Sequence, residues 1–134
     1  MAETAEVVPF VQAEANSLMD VIQRAAVDPK TDVDKLERLL AMYERIKARE
    51  AKSAYTEALT AAQQEIPVIA ERGGIKNNAG AVQSTYALWE DINDVIKPIL
   101  ARHGFALSFR TGNTDGKILV TGILSHKDGH SEET

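Results

Sequence analysis

A chain of 134 residues with 44% hydrophobic and 26% charged side chains has the size and composition of one globular domain, which excludes a fibrous or wholly disordered protein. It contains no cysteine, so disulfides, thiolate metal sites and cysteine nucleophiles are excluded together, and a reducing cytoplasm is the expected compartment. No apolar run approaches the roughly 20 residues that cross a bilayer, and Glu3 and Glu6 stand where a signal peptide would be basic. The net charge of −5 conceals a gradient: residues 1–65 hold 8 basic and 12 acidic side chains, residues 66–134 hold 7 and 8. Two stretches of the second part, residues 72–89 and 95–114, contain no acid at all, so a polyanionic partner stays open despite the overall sign.

In chain order, residues 1–13 have no clear period and read as a loose arm, with a single domain over residues 14–134. Leu18, Val21, Ile22 and Ala25 recur at helical spacing over residues 14–26, and Asp28-Pro29 stops that helix. Thr31 is the expected cap of the next, with Asp34 completing a capping-box-like pair. Val33, Leu36, Leu40, Tyr43 and Ile46 then mark an apolar face that continues as Ala51, Ala54, Ala58 and Ala62, flanked by Tyr55 and Leu59. No glycine or proline interrupts it before Pro67. A helix of about 30 residues extends about 45 Å at 1.5 Å per residue, more than a small sheet needs. Part of its face is therefore expected in a homo-oligomer interface, with Tyr43, Ile46, Tyr55 and Leu59 as candidates.

Beyond Pro67, residues 68–70 read as a short strand, the glycines and asparagines of residues 73–80 as a turn, and residues 81–86 as the return strand. A third helix follows over residues 88–102, with Glu90 and Asp91 in its first turn, Pro98 inside it and Gly104 to stop it. Phe105, Leu107 and Phe109 alternate with Ala106, Ser108 and Arg110, which predicts a half-buried strand whose Phe105 face meets the core and whose Arg110 points outward. Residues 112–116 are the turn, residues 117–125 run back, residues 127–129 turn again, and residues 131–134 begin one more strand. The fold class is α+β: a largely antiparallel sheet of two hairpins plus the start of a further strand, packed with three helices.

Little in this pattern is catalytic. The glycines of residues 73–80 are followed by Ala81 and Val82, not by the lysine and hydroxyl residue of a phosphate loop. His126, Asp128 and His130 have ligand-like spacing, but Asp128-Gly129 is a turn signal, so a small metal-dependent hydrolase is the weaker alternative and no metal or other cofactor is expected. His103 suits a helix C-terminus without any chemistry. Tyr86 reads equally as a base-stacking or a structural aromatic, whereas Trp89 reads as a core anchor at the helix entrance.

The run Tyr86-Ala87-Leu88-Trp89-Glu90-Asp91-Ile92, followed by Ile96-Lys97-Pro98-Ile99-Leu100-Ala101-Arg102-His103-Gly104-Phe105, resembles the Erf family of phage recombination proteins. The later Thr121 to Leu124 with Ser125 to His130 is similar to that family's next hairpin, and the resemblance extends over residues 33–134. It implies a fold like the Redβ and RecT annealing class, and ATP-independent annealing of complementary strands in recombination. The implied partners are single-stranded DNA, further copies of the chain in a ring or filament, and a host single-strand-binding protein, all in a bacterial cytoplasm. It further implies a domain truncated at its C-terminal end, and Leu88 replaces the family's usual capping threonine. Within the matched region, Arg72, Lys76, Lys97, Arg102 and Arg110 fall in the acid-free stretches and are the expected phosphate contacts, Arg110 foremost, with Tyr86 as the candidate stacking residue. The competing reading is a structural oligomerisation module that binds no DNA.

Overall fold

The computed structural model describes residues 10–134, and side-chain surroundings from residue 16 on. Helix α1 spans Phe10–Val27 and α2 spans Val33–Glu65. Strands β1 (Gly73–Lys76) and β2 (Val82–Tyr86) precede helix α3 (Trp89–Arg102). Strands β3 (Phe105–Thr114), β4 (Lys117–His126) and β5 (Ser131–Glu133) follow. The architecture is α+β, with two antiparallel sheets, β1-β2 and β3-β4-β5. Helix α1 takes in residues 10–13 of the expected arm; the rest of that arm lies outside the described residues.

Two compact units divide the chain, one up to Ala54 and one from Tyr55 onward, so the boundary falls inside α2. In the first unit α1 ends one residue before Asp28-Pro29, where proline's steric demand forbids continuation. The Asp28 carboxylate accepts the Lys30 amide at 2.9 Å and the Asp28 carbonyl accepts the Thr31 amide at 3.1 Å, closing the turn. The cap of α2 is Asp32, not Thr31: its Oδ1 accepts the Asp34 amide at 3.0 Å. Asp32 is the residue immediately before the first helical position, and a carboxylate there also complements the positive helix end.

The second unit is built on the latter half of α2. Tyr55, Ala58, Leu59 and Ala62 repeat at helical spacing, and Tyr55, Ala62, Ile99 and Phe105 form the core with Val95, Leu100 and Leu124 against it. Ala62 is 1% exposed; with only a methyl to place, it lets another element approach closely. The Tyr55 ring stands edge-on to Phe105 at 5.3 Å between centroids and to His130 at 5.1 Å, a favoured aromatic geometry. Burial pushes the Tyr55 phenol above its ordinary pKa, and the Glu132 carboxylate adds to that.

Both hairpins differ locally from the sequence expectation. Residues 68–70 are not a strand, and Gly73 and Gly74 lie in β1 rather than in the turn. The turn is residues 77–81, held by Asn77: its side-chain oxygen accepts the amides of Ala79 and Ala81, each at 3.0 Å. Glycine serves β1 because Gly73 pairs with Tyr86, and a Cβ on Gly73 would lie 2.5 Å from carbons of the Tyr86 ring. The second hairpin is longer than expected. Ten pairs run without a slip from Phe105↔His126 to Thr114↔Lys117, so the loop is only Asp115-Gly116. Their φ values of 50° and 71° fit the mirror-image two-residue turn whose twist matches that of the strands.

Candidate nucleic-acid interface

Helix α3 carries two apolar stripes. Val95 and Ile99 face the core. Trp89, Ile92, Ile96 and Leu100, at i, i+3, i+7 and i+11, line an open groove of about 520 Å³, closed on its other side by Leu107 and Phe109 of β3, Leu100 also packing against the core. Lys97 stands at its lip. Trp89 is 61% exposed, so it is not the core anchor expected from its place at the helix entrance. Leu107 and Phe109 are exposed as well. Alternation along β3 is present, but only Phe105 of its apolar face reaches the core, because no layer covers the strand beyond it among the described residues. The helix entrance lacks a side-chain cap, Leu88 making none. At its other end the amides of His103 and Gly104 reach back to the carbonyls of Ile99 and Ala101 at 3.3 and 3.2 Å.

The expected phosphate contacts are spread over the residue before β1, β1 itself, α3 and β3 and do not form one cluster of free cations. Arg72 grips Asp91 with two nitrogens, its Nε donating to Oδ2 at 2.7 Å. That guanidinium holds the Asp91 carboxyl below the usual range, and the carboxylate raises Arg72 in turn. Arg102 lies 3.7 Å from the Glu65 carboxylate, which also bonds the His103 ring. The His103 hydrogen bond, with Arg102 contributing less, depresses the Glu65 pKa. His103 is thus a link to α2 as well as a helix terminus. Arg110 does point outward, but its Nη2 donates to Glu133 of β5 at 2.8 Å. Only Lys76 and Lys97 of the five make no ion pair among the described residues. The acid-free windows missed these partners because the acids lie outside them: Asp91 and Glu133 are 19 and 23 residues from their arginines, and Glu65 comes from α2.

Tyr86 stands on β2 with its ring laid over Gly73 and is 46% exposed, so one face rests on backbone while the other remains open. Of the four α2 residues expected in a subunit interface, Tyr55 is buried in the chain's own core and Leu59 packs against it. Tyr43 is partly buried, with the Lys47 ammonium 5.9 Å from its ring centroid, and Ile46 is partly buried too.

The histidine group is structural in geometry. His126 is buried, its Nδ1 accepting the Asp128 amide at 3.3 Å and its Nε2 set 3.2 Å from the His103 carbonyl. That pairing requires the proton on Nε2 and leaves no lone pair for an ion. His130 Nε2 meets Glu132 at 2.8 Å. Among the described residues no three His, Asp or Glu side chains are grouped to hold a metal, and no helix is long and apolar enough to cross a membrane.

The sequence signal missed was the groove: α3 has more apolar positions than one stripe requires, which a helical count alone could have revealed. No curated protein and no solved structure matches the chain. The ERF superfamily profile matches residues 55–134, beginning at the residue where the second compact unit begins and later than the start at residue 33 expected from the resemblance. The match takes in the core, the groove and every candidate DNA contact, and the chain belongs to the ERF superfamily.

Proposed function

We propose that the chain binds single-stranded DNA through the β1-β2 hairpin and its surroundings and anneals complementary strands without nucleotide hydrolysis, in phage or prophage recombination inside a bacterial host. ERF superfamily membership implies a role in single-stranded DNA annealing and recombination, and that match is the observation that carries the reading. Lys76 supplies a cation with no ion pair among the described residues and Tyr86 an exposed aromatic ring, with Arg72 immediately before the same hairpin's first strand. Arg102 and Arg110 extend the contact set. Their carboxylate partners are no obstacle, because exposed ion pairs are worth little and a phosphate can replace a carboxylate on a guanidinium. Lys97, at the lip of an apolar groove, is left out of this set. The hydrolase reading receives no support from the engaged nitrogens of His126.

Phosphate contacts release counterions, so affinity for a labelled oligonucleotide is expected to fall as salt rises. Lys76→Ala is expected to weaken binding and to flatten that dependence by about 0.7 on the logarithmic scale, the value for one contact on a single strand. Fluorescence anisotropy across a salt series measures both. An unchanged slope removes Lys76 from the interface; no binding at any salt favours the structural module and overturns the reading.

A further inference from the structure

The sheet β3-β4-β5 has β4 at its centre, so β3 is paired on one side only. The Lys127 amide donates to the Gly104 carbonyl at 2.9 Å, across the flanks of the Phe105↔His126 pair. Main-chain bonds then alternate along the ladder: Ala106, Ser108 and Arg110 bond to β4, while the N–H and C=O groups of Leu107 and Phe109 point the other way. No strand among the described residues meets them. Edge strands are ordinarily guarded by a charge, a proline or a bulge. Residues 105–109 contain neither charge nor proline, and their register against β4 has no slip.

The side chains of the same two residues line the α3/β3 groove, so the open edge and the groove form one surface. Trp89, Ile92 and Ile96 of α3 make its opposite wall. Lys97 is the one charged side chain lining it, and it makes no ion pair among the described residues. Such a surface complements an extended main chain that carries apolar side chains and a carboxylate. A polynucleotide offers no ladder of amides, and one cation neutralises little of its charge. Another copy of this chain does not match either: β1, β2 and β3 contain no acid, and β5 contains no apolar residue.

We propose that an extended segment of a different protein, with apolar residues at every second position and an acidic residue, adds to the free edge of β3 as a fourth strand. Its apolar side chains enter the α3/β3 groove and its acid faces Lys97. Main-chain bonds to Leu107 and Phe109 supply affinity, while the groove and Lys97 select the side chains. The contact stands independently of DNA binding.

The test uses the full chain and a library of random linear peptides displayed on phage. Selection is expected to recover peptides with apolar residues at every second position and an acid. Trp89 is the only tryptophan and sits on the groove wall, so a synthetic copy of a recovered peptide is expected to shift its emission to shorter wavelength. Methylating one alternate set of the peptide's amide nitrogens is expected to weaken binding about tenfold at each position, whereas methylating the intervening set leaves it unchanged. Lys97→Glu is expected to cost about tenfold, and a peptide with lysine in place of its acid to restore the loss. Phe109→Asp is expected to abolish binding with the far-UV circular dichroism of the parent; Phe109→Ser repeats the measurement if the aspartate unfolds the chain. Failure to enrich any peptide, recovered peptides with helical spacing, indifference to amide methylation, or unchanged affinity in Lys97→Glu overturns the proposal. So does displacement of the peptide by a single-stranded oligonucleotide, which makes DNA the occupant. A Trp89 shift that grows with protein concentration alone, together with the mass from light scattering, overturns it in favour of a second copy.

Discussion

Tyr55→Ala is expected to lose about 3–5 kcal/mol of stability, the range for truncating a buried aromatic, out of a total that is typically about 5–15 kcal/mol. The core of this unit is small: Tyr55, Ala62, Ile99 and Phe105 are its buried hydrophobics, and Tyr55 alone touches Phe105, His126 and His130 with its ring. Removing the ring opens a cavity bounded by α2 on one side and by two strands on the other, with little left to collapse into it. Tyr55→Phe keeps the ring and is expected to stay within about 1.5 kcal/mol of the parent, as volume-conserving changes do. Chemical denaturation measures both. An alanine variant that unfolds at the parent's denaturant midpoint would mean that α2 does not carry this core.

Tyr86→Ala is expected to weaken single-stranded DNA binding by about 1–3 kcal/mol, the value of one base stacked on an aromatic ring, which is roughly 5- to 150-fold. The ring is preorganised because Gly73 leaves room for it against the backbone. Tyr86→Phe keeps the stacking face and is expected to bind like the parent. Gly73→Ala lifts the ring from its seat and is expected to lower affinity in the same direction while the chain stays folded. Equal affinity for the parent and Tyr86→Ala at matched salt would show that this ring does not touch DNA.

What was legible in the sequence was local. Helical spacing located the three helices, the stop at Asp28-Pro29 and the exit through His103-Gly104 were readable, and in the second hairpin the first strand came from plain alternation and its return from the turn between them. The misplaced features depend on what lies across the fold. Gly73 and Gly74 look like a turn until Tyr86 is found lying over Gly73. Leu107 and Phe109 look like core because alternation marks two faces of a strand without saying whether a layer covers either one. Arg110 and Arg72 look free because Glu133 and Asp91 are remote in sequence. Asp32 rather than Thr31 caps α2 because both residue types cap well, and only the backbone decides which of two neighbours precedes the first helical turn.

The central claim is that this ERF superfamily chain pairs complementary single strands by binding alone. Two complementary oligonucleotides, one carrying a fluorophore and the other a quencher, are mixed with the full chain in the absence of nucleotide and magnesium. The account predicts annealing faster than the spontaneous rate, unchanged when ATP and magnesium are added, and slower with Lys76→Ala and Tyr86→Ala. Annealing at the spontaneous rate, or acceleration that appears only with ATP and magnesium, would contradict it.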